Sequence, residues 1–503
     1  MKNETTYLLL LTAIYFVLSL VGILHHELWL DEAHHYLLAR DSNSVIDLIQ
    51  NTRYEGHPIL WNTLLYGITR LTANPFWMQF LHILISTSVV FLFLRKAPFS
   101  LVFKTLFIFG YFMFFEYNLI SRNYMLGVLF LFLACSVYEK RKEKFTLLCA
   151  SLALSCNVHL MFSVLALAFM LTLLWENYQT RELFRKEYLP GYALFGLGLL
   201  SLGIQLQTTH SEWFFNLLGT ISWREKLTGG LLSLFKGLIA FPDFTSIHFW
   251  NSNFIVNTYR PLASILSLLI YLVPFILFFK NKKMLFFVYI ALFGTQLFFF
   301  VTERTAVRFH GMTYLIIIMA LWMQHYGASD TYKIGTVLTR YRFDLLQKPI
   351  VYSILTIHFL SGTAAYATDY VYPFTASKDT ADYIKTHHLG TKEIVSFSCD
   401  GTTLSPYLEK KLYFLTEHSY QSYCIWKNAD SVTYSKEMIL TMLSGYMDNH
   451  EYCVYVSGDL WIKEQPDVWK TIDNKFKIRL LKTFDTTILE NGSYYVYEVS
   501  KIR

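Results

Sequence analysis

The sequence is poor in charged residues. Only 16% of its 503 residues are charged and 54% are hydrophobic, whereas a soluble domain averages about 25% charged residues. This deficit and the positive mean hydropathy of +0.34 exclude an ordinary soluble protein and predict a multi-pass membrane protein. The net charge of +6 says little as a sum, because the placement of lysine and arginine carries the information in membrane proteins.

Cysteine is also scarce, and no two of the six cysteines form a CxxC pair. A cysteine zinc site is therefore not expected. Cys399, Cys424 and Cys453 lie in the polar tail, where the sequence allows one disulfide and leaves one thiol over. Basic residues lie in short clusters between apolar runs and not along one soluble face, so we expect no nucleic-acid partner.

What the sequence has in abundance is apolar runs of spanning or near-spanning length. They lie at roughly 7–24, 76–94, 101–117, 122–138, 146–159, 160–175, 191–206, 262–280, 284–301, 309–325 and 350–367. We predict about eleven transmembrane helices, although the shortest runs are marginal against the 17–25 residues that a span needs. No small-residue cleavage site follows the first run, so we expect a retained helix there.

The basic clusters lie between alternate apolar runs, and examples are Lys140-Arg141-Lys142 and Lys280 with Lys282-Lys283. Every cluster falls on one side of the membrane if there are eleven helices and the N-terminus is cytoplasmic. The sequence therefore predicts a cell-membrane protein whose segments 25–75, 116–121, 207–261, 302–308 and 368–503 face outward. Within the first of these segments, 45–49 (capped by Asn43 or Ser44) and 59–71 read as short interfacial helices.

The last part of the chain is more polar and contains turn signals such as Asp400-Gly401. Runs at 393–397, 452–456 and 494–499 predict strands, and 380–387 and 404–411 predict short helices. We therefore divide the chain into a helical membrane domain, residues 1–367, and a small extracytoplasmic α/β domain, residues 368–503.

The first outward segment carries an acidic pair, Asp31-Glu32, directly after the first apolar run. An ordinary helix start at the membrane surface would explain it, but ionisable groups held near a bilayer usually mark a site. Asp31 is a candidate general base, because a partly buried carboxylate suits that task. His35 would share one helix face with Asp31.

Further candidate residues lie at the other outward turns. Glu55-Gly56-His57 precedes Pro58, and this turn is either a helix cap or a site in which Glu55 and His57 contact substrate or, with His248, hold a divalent metal ion. Arg122 in Ser121-Arg122-Asn123-Tyr124 either snorkels to the interface or binds a phosphate bidentately. The remaining candidate ligands for an anionic, sugar-bearing substrate are Tyr124, His248, Trp250, Arg304 and Arg308.

Together these motifs resemble the GT-C superfamily of membrane glycosyltransferases, in particular the protein O-mannosyltransferase and aminoarabinose transferase branch. The resemblance rests on Leu30-Asp31-Glu32, Glu55-Gly56-His57-Pro58 and Ser121-Arg122-Asn123-Tyr124, in that order, and covers roughly residues 1–330. The family often has a second proline where this chain has Ile59, and an acid where it has Asn123. Any second catalytic acid is then Glu32, Glu55 or Glu116.

The resemblance implies a GT-C-like fold and transfer of a sugar from a polyprenyl-phosphate donor to a glycan, lipid or protein acceptor at the outer face. In that reading Asp31 occupies the family's acidic catalytic position, and Glu55, His57 and Arg122 match its substrate- or metal-contacting positions. The competing interpretation is a transporter or flippase for a lipid-linked sugar. Such proteins usually show repeated halves with interrupted helices, and no repeat is evident here.

Overall fold

The structure is a computed structural model that describes residues 2–206, 222–302, 306–327, 340, 342–424, 434–460, 467–472 and 474–502. Its contacts divide the chain into two compact units. The first consists of Met1–Val21, Gly56–Trp61 and Leu81–Ala367. The second consists of Gly22–Glu55, Asn62–Phe80 and Thr368–Arg503, so it joins most of the first outward segment to the C-terminal tail.

The chain up to residue 371 is mainly helical. Its α-helices are α1 (Lys2–His25), α2 (Leu30–Asp41), α3 (Val45–Asn51), α4 (Leu60–Thr69), α5 (Phe76–Lys96), α6 (Leu101–Ile108), α7 (Tyr124–Val137), α8 (Phe145–Cys156), α9 (Leu160–Gln179), α10 (Leu189–Gln205), α11 (Trp223–Leu238), α12 (Phe254–Thr258), α13 (Arg260–Ile270), α14 (Leu272–Phe278), α15 (Lys282–Thr302), α16 (Val307–Gln324) and α17 (Gln347–Val371). A π-helical turn, Tyr111–Glu116, follows α6.

Seven helices in the described part of the chain are long and apolar enough to cross a membrane, which supports a multi-pass membrane protein. They are Thr5–His25, Phe76–Lys96, Leu160–Gln179, Lys186–Gln205, Arg260–Phe278, Lys282–Thr302 and Phe343–Val371. The predicted count of eleven is not confirmed. The run at 101–117 is interrupted by the π-helical turn, and α7 and α8 have only 14 and 12 residues.

Packing in the first unit brings some backbones very close together. A Cβ added to Gly362 on α17 would lie 2.7 Å from the carbonyl oxygen of Phe109 and 2.8 Å from the backbone of Gly110 and Tyr111. Small residues at such crossings are how membrane helices approach each other closely. Gly362 therefore fixes the position of α17 against the chain that leads into the π-helical turn.

The second unit contains α2, α3 and most of α4 from the first outward segment. The expected cap of α3 is present, because the Ser44 hydroxyl accepts the Asp47 amide at 3.1 Å. The short helices predicted over 45–49 and 59–71 are thus confirmed as helices, with the bounds of α3 and α4 given above.

The tail folds as a seven-stranded mixed sheet with helices on both faces. Its strands are β1 (Ile394–Ser396), β2 (Leu412–Phe414), β3 (Ser419–Gln421), β4 (Tyr452–Ser457), β5 (Lys470–Ile472), β6 (Phe476–Phe484) and β7 (Tyr494–Lys501), and its helices are α18 (Ser377–Thr386), α19 (Ser405–Leu408) and α20 (Lys436–Asp448). The order is β3-β2-β1-β4-β7-β6-β5. Only the pairs that β1 makes with β2 and β4 are parallel.

Side chains alternate between the two faces of this sheet, as strand geometry requires. On β4, Cys453 and Tyr455 pack on the face covered by α20, whereas Val454 and Val456 pack on the opposite face with Ile384 of α18. The predicted extracytoplasmic domain is therefore confirmed as a small α/β sheet domain, while the side of the membrane on which it lies stays a prediction.

Candidate active site

The acidic pair lies at the start of α2, and its two members have different surroundings. Glu32 is fully buried, and its Oε2 accepts the backbone N–H of Trp29 at 3.0 Å. The same oxygen lies 3.3 Å from Nε2 of His26. Asp31 is only half-buried. Glu32 therefore holds the helix start, and Asp31 is the carboxylate of the pair that keeps access to solvent.

His26 links this helix start to the end of the last membrane helix. Its Nδ1 lies 2.9 Å from Oδ2 of Asp369, near the C-terminus of α17. Burial lowers the pKa of His26, but the charges of Asp369 and Glu32 and their hydrogen bonds more than offset this and raise that pKa to about 10. His26 is therefore an imidazolium between two carboxylates at neutral pH.

The next turn of α2 presents two histidines, His34 and the predicted His35. Nε2 of His34 lies 2.6 Å from a carboxylate oxygen of Glu55, and both side chains are almost fully buried. Nδ1 of His35 lies 2.8 Å from Oδ1 of Asn62. Burial lowers the pKa of His35, so it is neutral at physiological pH. Glu55 thus pairs with a histidine of α2.

A second group of predicted residues gathers in the first unit, around the turn between the π-helical segment and α7. Arg122 is buried, and its guanidinium carbon lies 5.9 Å from the ring centre of Tyr124. Tyr124 stacks on Tyr117 with ring centres 5.0 Å apart. His159 lies beside Tyr124 at 5.5 Å and beside His57 at 4.7 Å. Arg122 therefore lies against a connected cluster of rings through Tyr124.

The start of α16 contributes a second arginine to this aromatic cluster. The Arg308 guanidinium carbon lies 4.9 Å from the Phe309 ring centre and 6.0 Å from that of Trp250, which are cation–π distances. The hydroxyl of Tyr117 donates to the Arg308 carbonyl at 2.6 Å. Two cations thus lie among aromatic rings, an environment that suits an anionic ligand with an apolar or sugar portion.

Glu116 is the buried acid of this unit. Its Oε2 accepts the indole N–H of Trp250 at 3.0 Å and the hydroxyl of Tyr111 at 3.2 Å. Tyr111 and Glu116 are the first and last residues of the π-helical turn, a form that is frequent at functional sites. Glu116 therefore positions Trp250, one of the predicted substrate ligands.

Some predicted residues do not join this cluster. His248 is exposed, whereas Trp250 two positions later is buried, and Arg304 lies outside the described residues. His159, which does belong to the cluster, also accepts the Met161 amide at 3.1 Å and so caps α9. Sequence reasoning missed His26 and Asp369. The signal that could have found them is a lone acid near the end of the last apolar run.

The candidate metal ligands do not form a metal centre. Within the part of the chain that the structure describes, no three histidine, cysteine, aspartate or glutamate side chains are arranged to hold a metal ion. The Glu55 carboxylate is instead paired with His34. Glu55, His57 and His248 thus do not fit the expected metal site.

Comparison with solved structures finds four matching chains, two of which are described here. The chain is similar to ArnT from Cupriavidus metallidurans bound to undecaprenyl phosphate, with a TM-score of 0.47, 11% identity, and coverage of 90% of this chain and 93% of that chain. It is also similar to the same protein in the apo state, with a TM-score of 0.43, 12% identity and the same coverage. No family model and no curated protein matches the chain. Similarity at this level does not by itself assign a function.

Proposed function

We propose that this protein is a membrane glycosyltransferase of the GT-C type that moves a sugar from a polyprenyl-phosphate donor to an acceptor hydroxyl at the outer face of the membrane. The observation that carries the proposal is the pair of arginines, Arg122 and Arg308, among aromatic rings at helix ends of a multi-pass protein. A prenyl chain stays in the lipid, so a membrane protein with an anion site at a helix end can take such a donor without a soluble nucleotide.

In the proposed reaction Asp31 removes the proton from the acceptor hydroxyl. The acceptor oxygen forms a bond to the anomeric carbon, the bond from that carbon to the phosphate oxygen breaks, and configuration inverts. Polyprenyl phosphate leaves with the electron pair, and its negative charge needs fixed positive partners. Arg122 and Arg308 supply that charge, and the Tyr124 and Trp250 rings contact the donor. Asp31 is preferred to Glu32 as base, because Glu32 is buried and holds the helix start.

Two features support action outside the cytoplasm. The tail contains a disulfide between Cys399 and Cys424, and disulfides persist in oxidising compartments. The basic clusters of the chain alternate as the positive-inside rule requires when the first outward segment and the tail share one side. His57, Glu55 and Arg304 remain candidate substrate contacts in this proposal.

The test is transfer by purified protein in detergent, given a radiolabelled polyprenyl-phosphate sugar, with release of free polyprenyl phosphate as the readout. Asp31→Asn should lower the rate by about 10²–10⁴-fold, the usual contribution of a general base, without loss of folding. Asp47→Asn is the matched control in the same outward segment, since an amide oxygen can still accept the Asn43 backbone N–H that Asp47 accepts. Transfer at the wild-type rate by Asp31→Asn would exclude Asp31 as the base.

The same assay separates the enzyme from a flippase or transporter of a lipid-linked sugar. A flippase moves the intact donor across the bilayer and releases no polyprenyl phosphate. Donor consumption in detergent, where no second leaflet exists, supports the transferase. Movement of intact donor in proteoliposomes with no release of polyprenyl phosphate under any acceptor condition would favour the flippase.

A further inference from the structure

Three buried side chains connect the end of the last membrane helix to the start of α2. Asp369, His26 and Glu32 are each almost fully excluded from solvent. The Asp369–His26 contact joins residues 343 positions apart in the sequence. Such a chain of charged groups is costly to bury unless each member is paired, so its position directly before Asp31 calls for a reason.

The chemistry of the three groups requires a charged histidine. Both carboxylates can only accept hydrogen bonds when ionised, and a neutral imidazole has a single N–H to donate. His26 therefore contacts Asp369 through Nδ1 and Glu32 through Nε2 at once only as an imidazolium. Removing the charge of Asp369 would favour the neutral imidazole, which can donate to only one of its two partners.

Asp369 and Glu32 are the charged groups whose interactions raise the pKa of His26. Asp369 reaches it from α17 and Glu32 from α2. The Phe374 ring packs against the imidazole at 4.7 Å, and the Gln79 amide donates to the His26 carbonyl at 3.2 Å. Both of these neighbours are uncharged, so the state of His26 depends on the two acids.

Glu32 connects His26 to the backbone that carries Asp31. The oxygen that faces His26 also accepts the Trp29 N–H at 3.0 Å, and Trp29 directly precedes the first turn of α2. The tail holds the same segment: the Leu28 N–H donates to the Tyr407 hydroxyl at 2.9 Å, and the Thr375 hydroxyl donates to the Leu28 carbonyl at 3.1 Å.

We propose that Asp369 and His26 are positioning residues that act through Glu32 to set the first turn of α2, and hence the Asp31 carboxylate, for transfer. This inference rests on the proposed function, because it needs Asp31 to be the base. It also gives the tail a task in the reaction: Tyr407 and Thr375 from the tail hold the segment that the three buried charges align.

The decisive variant is Asp369→Asn, because the amide oxygen can still accept from Nδ1 while the negative charge is gone. We expect kcat to fall with the donor KM unchanged. The loss should grow as pH rises and His26 becomes neutral, and should disappear at low pH, where the imidazolium is restored. A misplacement of about 1 Å at a reacting group can cost on the order of 10²-fold in rate, which sets the upper limit of the effect. Asp369→Glu, which keeps the charge, should recover part of the rate.

The matched control is Asp382→Asn, which makes the same chemical change at an exposed position of α18. It should keep the wild-type pH profile. An Asp369→Asn protein with wild-type kcat at all pH values would overturn the proposal. A loss of rate that is equal at every pH and follows a loss of thermal stability would also overturn it, because that pattern needs only a structural role.

A second readout does not depend on transfer and separates this inference from the proposed function. The readout is the rate at which the thiol introduced by Asp31→Cys reacts with a soluble reagent, measured with and without Asp369→Asn. The difference between these two rates should grow as pH rises. If Asp31→Asn transfers normally but this labelling effect is seen, the assignment of Asp31 as the base fails and the alignment stands. If Asp31→Asn is inactive and the labelling rate is the same in both backgrounds, only the alignment fails.

Discussion

Asp31 and Glu32 are adjacent in sequence but chemically unlike in the structure. Glu32 is buried and contacts the Trp29 amide and the His26 imidazole, whereas Asp31 is half-buried. A sequence predicts that both acids lie in the first turn of a helix. It does not predict which one turns inward, because that choice depends on His26 and on Asp369 from a distant part of the chain.

Arg122 offers a residue-level test of the phosphate site. Arg122→Ala should lower kcat/KM for the polyprenyl-phosphate sugar by about 10²-fold, the usual cost of losing one group that stabilises a developing anion. Arg122→Lys keeps the charge but loses the planar guanidinium that pairs with phosphate and stacks on Tyr124, so it should recover only part of the rate. The measurement is release of polyprenyl phosphate at several donor concentrations.

The control for Arg122 is Arg224→Ala. Arg224 also lies over an aromatic ring, with 5.6 Å between its guanidinium carbon and the Trp223 ring centre, but it is exposed. Its loss should leave transfer unchanged. Equal effects of the two alanine variants would show that guanidinium–ring contacts in general support the fold and would remove the special role of Arg122.

Glu27 gives a prediction about pH. Burial, and then repulsion from Asp379, raise the pKa of Glu27 to about 8, although the Lys378 amide hydrogen bond opposes this. The folded state therefore binds this proton more tightly than the unfolded chain, and the resulting stability is lost as pH rises from about 4.5 through 8. Glu27→Gln cannot ionise, so it should gain stability relative to wild type on going from pH 5 to pH 9, by on the order of a few kcal/mol.

Thermal or denaturant unfolding of both proteins at pH 5 and pH 9 checks this expectation. The glutamine oxygen can still accept the Lys378 N–H, which the carboxylate accepts at 2.6 Å, so the two proteins should be similar at pH 5. A stability difference that is the same at both pH values would mean that Glu27 has an ordinary pKa in the folded protein.

At the level of elements, strong local patterns led to correct predictions. The β-branched and aromatic runs at 452–456 and 494–499 are the central strands β4 and β7, and the 45–49 helix and its Ser44 cap are present. The strands β2, β3, β5 and β6 were not predicted. The first three have only three residues each and are defined by their partners, whereas β6 has nine residues and was missed despite its length. The π-helical turn was also missed, since its apolar run resembles that of an α-helix.

Gly362 gives an element-level prediction about helix packing. A methyl group there would lie 2.7 Å from the Phe109 carbonyl oxygen, and a backbone cannot move aside as a flexible side chain can. Gly362→Ala should therefore destabilise the protein by about 1–3 kcal/mol, the usual cost of overpacking. The matched control is Gly196→Ala on α10, where nothing lies within 4 Å of the added Cβ, and it should be neutral or slightly stabilising. Unfolding in detergent compares the two, and equal stabilities would contradict the close approach.

At the level of the whole molecule, the sequence suggested candidate site residues, whose roles stay predictions, but not the contacts that these residues make. Arg122, Tyr124, Trp250 and Arg308 do come together with aromatic rings. Partners such as His34 for Glu55 were not predicted, because each contact joins segments whose distance depends on the complete fold. The first outward segment and the tail form one compact unit, which no local pattern indicates.

Membrane topology is the prediction on which the proposed outward chemistry depends. The Ile46→Cys thiol on α3 should react with an impermeant thiol reagent in intact cells, whereas the Lys142→Cys thiol in a basic cluster should react only after lysis. Both positions are exposed, Ile46 by 70% and the Lys142 side chain by 49%. The background should be low, because four native cysteines are buried and Cys399 and Cys424 form a disulfide. Labelling of position 142 but not 46 in intact cells would reverse the orientation and exclude transfer at the outer face.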